Sequence, residues 1–349
     1  MSRPHDFASR ALGRLPPETA HRLAMAALKA GLGPRQAKDR AILATELAGM
    51  KLPSPIGLAA GFDKDAEAPD PLHAIGFGFV ECGTVTPLAQ AGNPRPRIFR
   101  LAADQAVINR LGFNNAGLER FAARLAMRRG AGVVGANVGA NRDSTDRPAD
   151  YVKAVSRLWG LCDYFTLNIS SPNTPGLRNL QAGDALEDLL GAVGDATASL
   201  RAGRPTPIFL KVSPDIEASQ VEEIVGAAVR HGLAGLVVSN TTLQRPADLR
   251  SPDRGEAGGL SGAPLMAKST SLLGEFHQAA QGRLELIGVG GVMSGADAYA
   301  KIRAGANAIQ LYTAFALHGP GVVERIGVEL AERLRIEGFV SLAQAVAAR

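Results

Sequence analysis

The 349-residue sequence predicts an α/β protein, a (β/α)8 TIM barrel preceded by a small two-helix N-terminal extension. Two observations predict it. Eight short, continuously apolar runs follow one another between residues 56 and 314, most of them separated by amphipathic stretches, and the C-terminal end of each run turns polar or glycine-rich. Strands apolar along their whole length and alternating with helices belong to a parallel sheet covered on its outer face. Eight such units, with none to spare, favour a closed barrel over an open sheet.

Residues 1–45 carry no strand-like run. "HDFASRALGRL" sets Phe7, Ala11, Leu12 and Leu15 on one helical face, and Pro16-Pro17 stops it. A second helix starts at Pro17, aligns Ala20, Leu23, Ala24, Ala27 and Leu28, and ends at Gly31. Arg10, Arg14, Arg22, Lys29, Arg35 and Lys38 make the segment basic. Such a pair is either a hairpin packed on the next domain or an amphipathic surface that lies on a membrane without crossing it. The expected division is 1–45 as this helical module and 46–349 as the barrel.

The strand runs are 56–61, 79–85, 133–139, 164–170, 208–212, 235–240, 286–291 and 308–314. Helical periodicity fills 114–129, 148–160, 182–201, 217–231, 267–280 and 294–304. Two intervals, 86–113 and 241–266, exceed a simple βα loop and are expected to cover the barrel mouth.

Composition narrows the function classes. Hydrophobic residues at 46% and charged residues at 20% suit a globular protein with a large core, and no run of about 18 apolar residues exists to span a bilayer. The N-terminus lacks the apolar stretch of a secretory signal. Cys82 and Cys162 stand far apart, which argues against a disulfide or zinc site, and six scattered histidines predict no metal centre. A net charge of +5 suits acidic partners without choosing among them.

In a barrel of this kind the site lies at the C-terminal ends of the strands. There the sequence places Lys64, Thr84, Asn137, Asn168, Ser171, Asn173, Lys211 and Asn240. Any one of them could be a cap or turn residue; eight at matching positions predict a site. "GGLSG" (258–262), "GVGGV" (288–292) and "LYTA" (311–314) bring glycines beside the last two strands, where barrels commonly bind phosphate, and a helix beginning near Ser294 offers an N-terminus for it. Lys211 could form a Schiff base or offset negative charge developing on a cofactor. Asn109, Asn168, Asn173 and Asn240 supply donors and acceptors for a flat heterocycle, whereas an aldolase would pair its lysine with carboxylates.

"GLAAGFDKD", "NPRPRIFRL", "QAVINRLGFNN", "NISSPNTPGLRNLQ" and "GGLSG…GVGG…QLYTA" closely resemble the dihydroorotate dehydrogenases, over residues from about 10 to 335. The basic helical N-terminus resembles the class that passes electrons to membrane quinone. The resemblance implies FMN, one per chain, oxidation of dihydroorotate to orotate in pyrimidine (UMP) synthesis, a ubiquinone-type acceptor, and a peripheral position on the anionic cytoplasmic side of the cell membrane, with no nucleic acid partner. It implies Ser171 as catalytic base, with Thr174 and a water beneath Phe113 as its proton relay. It places substrate at Lys64, Asn109, Arg110, Leu111, Gly112, Phe113, Asn168, Asn173, Asn240 and Thr241. It places FMN at Ala60, Gly61, Phe62, Asp63, Lys64, Thr84, Asn137, Asn168, Lys211 and Ser239, with Gly262, Gly291, Tyr312 and Thr313 around the phosphate. His21, Arg100 and Tyr312 would line a quinone tunnel.

Three rivals remain. A soluble fumarate- or NAD-linked dihydroorotate dehydrogenase should lack the N-terminal helices and carry cysteine at position 171. A tRNA dihydrouridine synthase should carry a catalytic cysteine and a C-terminal helical domain. A basic membrane-binding module would leave the polar rim unexplained.

Overall fold

A computed structural model of the chain describes residues 12–35, 41–200 and 205–348. In chain order its strands are β1 (Thr45–Leu47), β2 (Met50–Leu52), β3 (Ile56–Leu58), β4 (Phe79–Val85), β5 (Ile98–Leu101) and β6 (Ala106–Asn109). There follow β7 (Val133–Val138), β8 (Tyr164–Asn168), β9 (Ile208–Val212), β10 (Gly235–Val238), β11 (Gly259–Gly262), β12 (Glu285–Val289) and β13 (Ala308–Leu311). Eight of them close a parallel barrel in the order β3-β4-β7-β8-β9-β10-β12-β13, each pairing with the next in sequence. These are the eight apolar runs, so the expected barrel forms.

Two elements outside the runs plug and cover it. The β1–β2 hairpin is antiparallel, and Leu47 and Leu52 pack with Phe79, Tyr164, Phe209 and Ile287 at the N-terminal end of the barrel. The aromatic rings meet edge to face, Tyr164 and Phe209 at 5.7 Å. Gly57 and Gly135 make room for them: a Cβ there would fall 2.4 Å from the Phe79 ring and 2.1 Å from that of Tyr164. At the opposite end, the two long intervals supply β5, β6 and β11, an antiparallel sheet ordered β11-β6-β5. The expected covers are therefore one sheet.

Between plug and rim the barrel interior holds a carboxylate. Glu81 of β4 is fully buried and accepts hydrogen bonds from Asn137 Nδ2 (2.7 Å), Gln310 Nε2 (2.7 Å), Thr166 Oγ1 (3.0 Å) and the Tyr164 hydroxyl (3.1 Å). A buried carboxyl group is tolerated only when so satisfied. Glu81→Ala leaves four buried donors without their acceptor and should destabilise the fold by about 3–5 kcal/mol in a denaturant titration. A loss under about 1 kcal/mol would mean that water replaces the carboxylate.

The helices largely follow the sequence pattern, with three departures. The stretch expected to start at 114 is helical only from Leu118 to Ala126, because the Asn115 side chain accepts from Thr86 N and Gly117 N and holds the preceding turn as a loop. Pro69–Ile75, Thr313–His318, Gly321–Ile336 and Leu342–Ala345 are additional helices, the third burying Val322, Val323, Ile326, Leu330 and Leu334. Of the first N-terminal helix only the end, at Leu12 and Gly13, lies within the described residues, and it is helical; the rest lies outside them. The second spans Pro17–Lys29, but its buried residues are Ala20, Met25 and Leu28, and Leu23 is 48% exposed. The apolar face thus differs from the expected one by part of a turn. Ion pairs fix the helix at both ends: Glu18 meets Arg97 (2.5 Å) and Arg95, and Lys29 meets Glu67 (2.6 Å).

Candidate active site

The strand ends, the β5–β6–β11 sheet and the Pro17–Lys29 helix enclose one cavity of about 630 Å³. Lys211 at the end of β9 and Gln310 of β13 form part of its floor, and both are buried. Lys64, on the loop after β3, stands half-buried in the wall. Neither lysine makes an ion pair among the described residues. Burial pushes the Lys64 ammonium down to about 8, helped by the positive charge of Arg97. Burial also lowers Lys211, with the charge of Glu81 opposing. Two lysines facing the cavity with no carboxylate in ion-pair contact among the described residues make this a site for an anionic or electron-rich ligand. Gln310 Oε1 and Thr241 Oγ1 add buried polar atoms without a protein partner.

Beside the cavity the amides form a connected layer. Thr84 Oγ1 donates to Asn137 Oδ1 (2.5 Å), and Asn168 Nδ2 donates to Thr84 Oγ1 (2.9 Å) and to Asn137 Oδ1 (3.2 Å). Asn240 Nδ2 donates to Asn168 Oδ1 (3.2 Å) and Ser170 Oγ (2.9 Å). Asn173 Nδ2 donates to Asn109 Oδ1 (3.3 Å). Asn109 and Asn240 also line the cavity, so they join the two regions. Ser171, 5% exposed, accepts a hydrogen bond from Asn173 N at 3.2 Å.

A clamp missed by sequence reasoning holds this loop. Arg178 donates to Ser170 O (3.1 Å), Thr241 O (3.0 Å) and Asp215 Oδ2 (3.1 Å), tying the loops after β8 and β10 together. Asp215 also receives Lys268 Nζ (2.6 Å), Thr242 Oγ1 (2.5 Å) and Leu243 N (2.8 Å). Burial opposes its ionisation, but the Lys268 and Thr242 hydrogen bonds hold the carboxyl below its usual range.

At the far end lie Ser261, Gly262, Gly290, Gly291 and Thr313, with Thr313 Oγ1 donating to Ser261 Oγ at 2.9 Å. None of the described hydrogen bonds uses the N–H of Gly290 or Gly291. The helix N-terminus at Ser294 does not serve this end as expected. Ser294 caps Asp297 N, the Asp297 carboxylate accepts from Met293 N (3.0 Å), and Glu329 accepts from Gly295 N (2.6 Å). That terminus is already occupied by two carboxylates, leaving the N–H groups of Gly290 and Gly291 as the unused donors at this end.

Towards the N-terminal helix the cavity wall becomes aromatic. The His21 ring meets Phe62 at 4.9 Å, and Phe62 meets Tyr312 at 5.9 Å and Phe315 at 4.9 Å. Burial and the charge of Lys64 push His21 down to about 4, so it is neutral at pH 7. Arg100 donates to Gly13 O (2.9 Å) and Leu15 O (2.7 Å). His21, Arg100 and Tyr312 therefore stand in one chamber with Lys64 and Lys211.

Most sequence-predicted residues converge. Ala60, Gly61, Phe62, Asp63, Lys64, Asn109, Leu111, Lys211, Ser239, Asn240, Thr241, Gly262, Gly291, Tyr312 and Thr313 line the cavity. Thr84, Asn137 and Asn168 form the adjoining layer; Ser171, Asn173, Thr174, Gly112 and Phe113 lie outside the lining. Two side chains are committed elsewhere. Asp63 accepts from Glu67 N and Ala68 N, both 2.8 Å, and Arg110 pairs with Glu256 at 2.6 Å over the Phe99 ring. Glu81, Gln310, Arg178 and Asp215 were not foreseen. Glu81 is the one carboxylate in the eight apolar runs, and that was the available signal.

A closed (β/α)8 barrel with lysines and linked amides at its C-terminal mouth defines an enzyme site of the kind this scaffold carries. The chain belongs to the dihydroorotate dehydrogenase family, whose model it matches over residues 42–334. It is 51% identical to the dihydroorotate dehydrogenase (quinone) of Xanthobacter autotrophicus, covering 95% of this chain and 94% of the relative. It is 51% identical to the enzyme so named from Rhodopseudomonas palustris, with coverage of 100% and 97%. Among solved structures, the Eimeria tenella enzyme in complex with ferulenol matches with a TM-score of 0.91 and 40% identity, covering 95% of each chain.

Proposed function

We propose that this chain is a quinone-dependent dihydroorotate dehydrogenase acting in pyrimidine (UMP) biosynthesis. It oxidises dihydroorotate to orotate and delivers the electrons to a quinone. The observation that carries this reading is the single chamber running from Lys211 and Asn240 at the strand ends to His21 under the N-terminal helix. A chamber reaching both places would let dihydroorotate approach at the strand ends and a quinone from the helix side.

FMN fits the residues present. Along one cavity, the unpaired Lys211 and the unused N–H groups of Gly290 and Gly291 supply donors, and the orphaned Gln310 Oε1 supplies an acceptor, for a polar ring edge and a phosphate. FMN, when bound, supplies a hydride acceptor that the protein's own side chains lack. Lys211 offsets negative charge at that ring. Lys64 and the four asparagines, Asn109, Asn168, Asn173 and Asn240, hold the carboxylate and ring edges of the substrate. Ser171 Oγ, held by the Asn173 N–H, accepts the C5 proton and passes its own on through Thr174. Neutral His21, with Arg100 and Tyr312, lines the quinone approach.

We assign the N-terminal module of residues 1–45 to quinone access and 46–349 to the FMN barrel, except that Leu43 and the start of β1 at Thr45 pack with the barrel. Leu15, Leu23 and Leu32 are exposed beside Arg14, Arg22 and Arg35, an amphipathic surface suited to anionic lipid on the cytoplasmic side of the cell membrane. No described helix is long and apolar enough to cross it. Nucleic acid has no place in this reading.

The test is orotate formation with a ubiquinone analogue, fumarate or NAD as acceptor. Turnover with quinone alone is expected; preference for fumarate or NAD would favour the soluble class. A pH prediction follows from Lys64. The substrate carboxylate binds the protonated lysine, so orotate affinity should be flat below pH 8 and weaken above it, by up to about tenfold per pH unit. An affinity still flat at pH 9.5 would take the carboxylate off Lys64.

A further inference from the structure

Behind the Gly290–Gly291 turn lies a buried pair that neither the substrate layer nor the quinone approach uses. Lys301, on the helix Gly295–Arg303, is fully buried, and its Nζ donates to Ser269 Oγ at 2.6 Å. Ser269, equally buried on the helix Met266–Ala280, lies 2.9 Å from Gly290 O, 2.8 Å from Leu265 O and 3.2 Å from Met266 O. A hydroxyl has one proton. Donation from the lysine occupies a lone pair of the oxygen and directs that proton towards the carbonyls, including that of Gly290. The turn itself lies flat on the same helix: a Cβ at Gly291 would fall 2.4 Å from Met266 Cα.

Lys301 has no carboxylate among its described hydrogen bonds. Asp297, one turn earlier, already accepts from Met293 N and the Ser294 hydroxyl. Burial pushes the Lys301 ammonium down to about 7, with the Asp297 charge opposing. A buried cation without an anion is costly, and an anion seated across the glycine turn would offset it.

We propose that Lys301, acting through Ser269 and the Gly290 carbonyl, is a positioning residue for the phosphate of the flavin. It holds the Gly290–Gly291 turn with its amides presented, and its buried charge makes the site prefer a phosphorylated flavin over an unphosphorylated one. This rests on the FMN reading above.

The test uses the full chain, stripped of flavin and reloaded with FMN or with riboflavin, each affinity read from flavin fluorescence. The wild-type protein should prefer FMN. Lys301→Met, which keeps the stem and removes the charge, should weaken FMN on the order of tenfold or more while riboflavin changes by less than about twofold. Equal losses for both flavins would make Lys301 a packing residue only; an unchanged FMN affinity, or a wild-type protein indifferent to the phosphate, would also overturn the proposal. Ser269→Ala breaks the link and leaves the cation, and should give a smaller loss confined to FMN. If Lys301→Met does not fold, Ser269→Ala decides, and an unchanged FMN-to-riboflavin ratio overturns the proposal. Wild-type protein that bound neither flavin would bring down the FMN reading itself.

Discussion

Ser171→Ala should slow reduction of bound flavin by dihydroorotate by roughly 10²–10⁴-fold, the usual range for losing a general base, while the protein stays yellow. The expectation follows from where the serine sits. Its hydroxyl is almost fully buried and receives the Asn173 N–H at 3.2 Å, so its position is fixed and little water competes for it. The neighbouring Ser170, not Ser171, carries the bond to Asn240, so the substitution removes one hydroxyl and leaves the amide layer intact. Anaerobic single-turnover absorbance is the readout, and reduction at the wild-type rate would remove the serine from the chemistry. Substitution by cysteine, a better proton acceptor at neutral pH, should retain part of the rate.

Removal of residues 1–35 should cripple turnover with quinone while changing single-turnover reduction by dihydroorotate far less. The deletion must stop there. Leu43 and Leu47 are buried in the barrel core, and β1 begins at Thr45, so a cut at residue 45 would damage the plug. The helix Pro17–Lys29 instead meets the barrel through Ala20, Met25 and Leu28 and three ion pairs. Its loss takes His21 from the chamber and opens the Phe62 face to water. Loss of quinone turnover by a factor on the order of ten or more, against a reduction rate within about threefold of wild type, is the expected pattern. Equal losses in both half-reactions would mean that the helix serves the fold and not the acceptor.

The barrel was legible because parallel strands buried on both faces leave continuous apolar runs, and polar tips such as "NISSPN" and "LKVSPD" mark where those runs end. Part of the site is legible in the same way: strand-end chemistry or motif marks Lys64, Lys211, Asn109 and Asn240, and these meet in one cavity. What stayed hidden depends on partners distant in sequence. β11 pairs with β6 about 150 residues earlier, and four-residue strands carry too little periodicity to announce that. The Ser294 helix terminus reads as an open anion site until Glu329, on a helix not foreseen, is found against Gly295 N. Arg110 falls in a motif that the resemblance assigns to substrate, and its ion pair with Glu256 across the cover loops is not visible in that motif. Helix Gly321–Ile336 was different: its apolar residues repeat at helical spacing, and the signal was present in the sequence.

The measurement that bears most directly on the account is one stopped-flow trace of the purified holoprotein. Under anaerobic conditions, dihydroorotate should bleach the bound flavin, and a ubiquinone analogue mixed in afterwards should restore its colour, both through the same chamber. A protein that carries no flavin, or whose flavin dihydroorotate leaves coloured, would contradict it.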